Sequence, residues 1–122
     1  MGISIDETKH RVVVTAERGF SGRVLAEAVK RMLEEAPQTA AFDFVLDLRD
    51  TEMGATMADY ELVAQAYASA PRPEGQRFTC YVTTDQNYPL WAAALKPLFP
   101  DRESKFFLTP QSAVRFLDER RS

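Results

Sequence analysis

Four short apolar or β-branched runs punctuate this chain: RVVVTAE from Arg11, AFDFVLDL from Ala41, RFTCYVT from Arg77 and SKFFLT from Ser104. Each is followed by a stretch whose apolar residues recur at helical spacing. That alternation narrows the fold more than any other feature. A strand, a helix and a second strand must be joined by a crossover, and repeated crossovers build a parallel sheet with helices packed against it. One more short segment, GISID from Gly2 to Asp6, precedes the polar DETKHR and reads as the outer arm of an opening hairpin. The expected order is β-β-α-β-α-β-α-β-α over residues 1–122: a single α/β domain with a mostly parallel, mixed sheet of about five strands flanked by helices.

The helices carry their own start signals. In SGRVLAEAVKRMLEEA, Ser21 is placed to cap, Phe20 to staple onto Leu25, and Val24, Leu25, Ala28, Val29, Met32 and Leu33 form the expected inward face. In the second helix Tyr60, Val63, Ala64 and Tyr67 share a face, and Thr56 with Asp59 fits the reciprocal capping pattern. YPLWAAALKPLF turns Leu90, Trp91, Ala94, Leu95 and Leu98 inward and should end at Pro97, which lacks an N–H. The last helix, PQSAVRFLDERR, follows a Thr109 cap and buries Ala113, Val114 and Leu117.

Charge and composition exclude little but point consistently. A net charge of −3 over 122 residues argues against a nucleic-acid surface. No apolar run approaches the roughly 18 residues that a membrane span needs, so stable membrane insertion is not expected. The first ten residues do not resemble a signal peptide, and the expectation is a soluble cytoplasmic protein. Cys80 is the single cysteine and His10 the single histidine, so neither a disulfide nor a His/Cys metal cluster can be assembled within the chain. Cys80 falls mid-strand and reads as an inert buried thiol, and His10 as an exposed turn residue.

In open α/β sheets ligands bind beyond the carboxyl ends of the strands. Four segments should meet there: ERGFSG, RDTEMGAT, TDQNYP and TPQS. Arg49 could clamp an anion among the helix N-termini, or pair with Asp50 or Glu52. Asp47, Asp50, Glu52 and Asp59 could in principle hold Mg²⁺, but turn and capping roles explain them more simply. Trp91, Leu95 and Phe99 could be plain core or could line an apolar pocket. The candidate ligand or partner surface is therefore Arg49, Asp50, Thr51, Thr56, Asp85, Asn87, Tyr88 and Trp91. No catalytic residue, metal ligand or cofactor is expected.

With this order, and with VLDLRD after the first helix, TTDQNY after the fourth strand and an ending of the type SAVRFLDE, the chain resembles the SpoIIAA-like branch of the STAS and lipid-binding Sec14-type domains. The resemblance implies a regulatory protein-interaction domain. In its anti-sigma-factor antagonists a serine at the start of the second helix is phosphorylated, within a motif like Asp-Ser-Ser-Gly. Thr56 stands near that position, while the neighbouring Asp and Ser-Gly are absent, so its default role is the cap. Three functions follow as expectations. The first is a non-enzymatic regulatory or interaction domain with a protein partner, homodimerisation being compatible with it. The second is a carrier or sensor of a small apolar or lipid-like ligand. The weakest is an enzyme working through Arg49, Asp50 and Tyr88.

Overall fold

The computed structural model describes residues 2–16, 21–49, 56–84 and 86–121, without the side chains of Tyr88, Pro89 and Arg121. Five strands form one sheet in the order β1 to β5: β1 (Gly2–Asp6), β2 (Arg11–Thr15), β3 (Asp43–Asp47), β4 (Phe78–Val82) and β5 (Glu103–Phe107). β1 runs antiparallel to β2, and β2 through β5 are parallel. Four helices accompany them: α1 (Gly22–Glu35), α2 (Met57–Ser69), α3 (Tyr88–Leu95) and α4 (Pro110–Arg121). The expected order and class are those observed.

Strand order decides where the helices lie. Each new parallel strand adds to the same side of the last, so crossovers of one hand carry α1, α2 and α3 over the same face of the sheet. Only α4, which follows the last strand, returns across the other face. Side-chain alternation matches this division. Val12, Val14 and Phe44 pack with Val29, Met32, Leu33 and Tyr67 of α1 and α2. Their neighbours in the opposite phase, Val45, Cys80 and Val82, pack with Ala113 and Leu117 of α4. β3 and β4 are thus covered on both sides, which is why the middle of β3 (Phe44–Leu46) and most of β4 are apolar.

Three expectations need correction. AFDFVLDL was expected to be strand from Ala41, but Pro37–Ala41 forms a 3-10 turn and β3 begins at Asp43. Pro37 starts that turn, the Thr39 hydroxyl closes it on the Ala36 carbonyl, and the Phe42 carbonyl is taken by Arg102 rather than by a neighbouring strand. Val24 and Leu90 were expected to point inward, and both are exposed. Each lies in the first turn of its helix, at the carboxyl edge of the sheet. The stripe of α1 that meets the sheet runs instead through Gly22, Ala26, Val29 and Leu33, spaced four, three and four apart. The staple proposed for Phe20 falls outside the described residues.

Candidate functional site

Between the sheet and the three-helix layer lies a cavity of about 350 Å³, within the size range of small-molecule sites. Its floor is one face of three adjacent strands: Phe44 and Leu46 of β3 with Leu48 just beyond it, Thr79 and Tyr81 of β4 with Thr83 just beyond it, and Phe106 of β5. Residues 44 to 48 rise about 13 Å along the strand, so the cavity follows nearly the whole sheet height. Its roof comes from α1 (Ala26, Val29), α2 (Tyr60, Val63, Tyr67) and α3 (Trp91, Leu95), with Phe99 beyond it. Most of this wall is apolar. The pocket suggested by Trp91, Leu95 and Phe99 exists, and Trp91 is half-buried in it, its ring 5.7 Å from that of Tyr60.

At the carboxyl edge the cavity ends among Gly22, Leu48, Arg49, Asp59, Thr83 and Thr84. Arg49 is present at this rim as expected, and Asp47 is one of its partners; Asp50 and Glu52, with which it was also expected to pair, lie outside the described residues. Arg49 Nε and Nη2 donate to the two Asp47 oxygens at 2.9 and 2.8 Å, a bidentate grip back onto the last residue of β3, two positions earlier. The Arg49 guanidinium holds the Asp47 carboxyl below its ordinary value, more than offsetting burial. Asp59 is likewise occupied: one oxygen accepts from Arg23 at 2.9 Å and the other from the Thr56 amide at 2.9 Å. The two described members of the acidic series are therefore bound to arginines and backbone.

Thr56 closes the capping box. Its hydroxyl accepts from the Asp59 amide at 3.3 Å while remaining exposed. Replacing Thr56 with alanine should lower unfolding free energy by about 1 kcal/mol, whereas serine should preserve nearly all of it. Urea titrations followed by circular dichroism separate the two; equal losses would exclude the cap. Asn87 precedes α3 and is exposed, its carbonyl accepting from the Leu90 amide. Asp50, Thr51 and Asp85 lie outside the described residues, as does the Tyr88 side chain, so the surface expected from sequence is described only at Arg49, Thr56, Asn87 and Trp91.

Exposed apolar side chains gather at the same edge. Of the five large ones among the described residues, Val24, Met57 and Leu90 stand in the first turns of α1, α2 and α3, and Leu108 follows β5 directly. The edge of the sheet that carries the cavity's rim thus also carries exposed apolar side chains, although none of these four lines the cavity itself.

The opposite end of the cavity was not anticipated. Arg102, only 5% exposed, lines it just ahead of β5. Its Nε donates to the Thr79 hydroxyl at 2.8 Å, Nη1 to the Ala40 carbonyl at 3.1 Å, and Nη2 to the carbonyls of Phe42 and Phe78 at 2.6 and 2.9 Å. The Tyr67 hydroxyl completes the set at 3.5 Å. The guanidinium also lies 4.8 Å from the Phe44 ring centre. A sequence signal existed: position 102 is in phase with 104 and 106, the inward-facing alternation of β5. An arginine in the PDRES stretch reads as an exposed turn, which concealed it.

Beside it, Asp101 receives Arg72 Nε at 2.6 Å and Arg77 Nη1 at 3.3 Å. Burial pushes its carboxyl up, but hydrogen bonds from Arg72 and Tyr67 outweigh that and hold it below the ordinary value. Because Asp47 and Asp101 both titrate lower folded than at their unfolded value of 3.8, their stabilisation is fully present above that pH and disappears as pH falls through the folded values. The urea midpoint should therefore be flat near neutrality and decline below about pH 4, with Asp101→Asn flattening the decline. A midpoint that rises on acidification would contradict these pairings.

Chemistry beyond binding finds little support among the described residues. Burial pushes the Cys80 thiol up to about 12, which leaves it protonated and unreactive, and pushes the Tyr81 phenol up as well. His10 is exposed in the β1–β2 turn, its ring 5.1 Å from Phe42 at the amino edge of the sheet, away from the mouth. Among the described residues no three histidine, cysteine or carboxylate groups gather as a metal site, and no helix is long and apolar enough to cross a membrane. No family model, curated protein or solved structure matches the chain.

Proposed function

We propose that this chain is a non-enzymatic binding domain, a carrier or sensor of a small apolar ligand held between the sheet and the three-helix layer. One observation carries the reading: a cavity of about 350 Å³ with a mainly apolar wall, where a close-packed interior would be filled. Protein interiors rarely keep such space without a use, since every lining group forgoes dispersion contacts. Exposed apolar side chains along the same edge of the sheet favour the approach of a water-averse ligand. Native mass spectrometry of protein purified without detergent should reveal a population heavier than 13.8 kDa by one small molecule, removed by organic extraction. A single unliganded mass, with no uptake of added apolar probes, would sink the reading.

A regulatory interaction domain, the function implied by the SpoIIAA-like resemblance, is the second reading. The observation in its favour is Thr56, exposed at a helix N-terminus beside Asp59, which itself reaches the cavity. A phosphoryl group there would add about −1.5 to −2 charge, break the cap and face the Asp59 carboxylate. It ranks second because the hydroxyl already has a structural role. Incubation with kinases followed by phosphosite mapping tests it; the absence of phosphate at Thr51 and Thr56 would remove the switch.

A further inference from the structure

We propose that the ligand is a chain-like carboxylate, a medium-length acyl anion, seated with its carboxylate at the inner end beside Thr79 and Arg102 and its tail toward the mouth. This rests on the binding reading above and adds the chemistry and direction of the ligand.

The argument starts from a charge imbalance. Arg102 is a buried cation that forms no ion pair among the described residues; its N–H groups are taken by neutral oxygens. Neutral acceptors satisfy its donors without cancelling its charge, and buried charges are ordinarily paired. Both acidic neighbours in sequence are turned elsewhere: Asp101 Oδ2 serves Arg72 and Arg77, and Glu103 is exposed and lies 3.9 Å from Lys105. Two other guanidiniums therefore share the Asp101 carboxylate, and Arg102 is left without an ion pair among the described residues. Asp43, the other buried carboxylate near this edge, lies on the α4 side of the sheet and accepts from the Phe78 amide.

The mouth offers the reverse situation. Among the described residues there, Arg49 is gripped by Asp47 and Arg23 by Asp59, so these two cations are already neutralised. An entering anion gains more at the inner end, where the surroundings are drier and attraction is less screened. The cost of desolvating Arg102 was incurred when the chain folded, so the ligand does not bear it again.

A donor is also in place. The Thr79 hydroxyl accepts from Arg102 Nε, and its own proton has no acceptor among the described residues. Thr79 lines the cavity, so that proton can be donated to a carboxylate oxygen while the polarising arginine strengthens it. Between this end and the mouth the wall includes Phe44, Leu46, Val63, Trp91 and Leu95 together with Tyr60 and Tyr81, a mainly apolar lining suited to a methylene chain.

The test compares decanoate with decanol, equal in chain length and different in charge, by calorimetric titration of the full chain at neutral pH. Decanoate should bind about tenfold more tightly, as expected for a hydrogen bond to a charged group. Thr79→Val should remove most of that preference. Since valine leaves Arg102 Nε without its acceptor, a second measurement uses the unaltered protein. Nuclear Overhauser contacts from the methylene next to the decanoate carboxylate should reach the Thr79 methyl and the Phe99 ring. Contacts from that methylene to Thr84 and Leu48 instead would overturn the orientation. Equal affinity for decanol would overturn the carboxylate but leave an apolar cavity ligand standing. Failure of both compounds to bind, with no adduct in native mass spectrometry, would bring down the binding reading as well.

Discussion

Arg102→Met should cost about 4 kcal/mol of unfolding free energy, a large part of the roughly 5–15 kcal/mol that holds a domain of this kind together. The loss follows from what the guanidinium joins. It reaches the carbonyl of Ala40 in the 3-10 turn, that of Phe42 ahead of β3, that of Phe78 on β4, and the Thr79 hydroxyl. Methionine has a similar length but no donor, so the carbonyls of Ala40 and Phe42, which lie ahead of the β3 ladder, would be left in the interior without a partner. Each orphaned buried acceptor costs about 1–3 kcal/mol, partly offset by removing a buried unpaired cation. Lysine should recover only part of the loss, because one ammonium cannot spread along the same fork. Urea denaturation monitored by circular dichroism gives the value directly. A loss under about 1 kcal/mol would mean that the carbonyls find other partners and that Arg102 is not the clasp described here.

The second large effect concerns occupancy. Leu46 sits on the cavity floor midway between Phe44 and Leu48, so Leu46→Trp should project an indole into the empty volume. In a filled core such an enlargement costs about 1–3 kcal/mol, but here much of the added volume enters space already present. Stability should therefore change little while affinity for the neutral fluorescent probe N-phenylnaphthylamine falls roughly 100-fold, or about 2.7 kcal/mol. Probe titration together with a urea curve for the same variant checks both halves. Undiminished binding by a folded Leu46→Trp protein would place the probe elsewhere on the molecule.

Much of the architecture was legible in the chain because its signals are local. The β-branched run at Val12–Val14, the Thr56–Asp59 capping box and the proline at the first position of α4 each act within a few residues, and each is realised. The misreadings share one cause. Val24 and Leu90 obey the helical period yet face solvent, because periodicity identifies an apolar face but not where the opposing layer ends. Arg49 was correctly assigned to the rim, yet its partner two residues back was missed, since Asp47 reads as part of a buried strand.

The sequence by itself determined the order of strands and helices, the parallel sheet that this order enforces, and the capping of the helix that borders the cavity mouth. These depend on backbone propensity and on polar groups a turn or less apart. Only the tertiary structure decided that the space beneath three helices stays open and that its inner end carries a buried arginine. Cavity volume is what remains after layers from the whole chain have packed, and the five oxygens around Arg102 come from residues 40, 42, 67, 78 and 79. No local pattern encodes a convergence across that much chain.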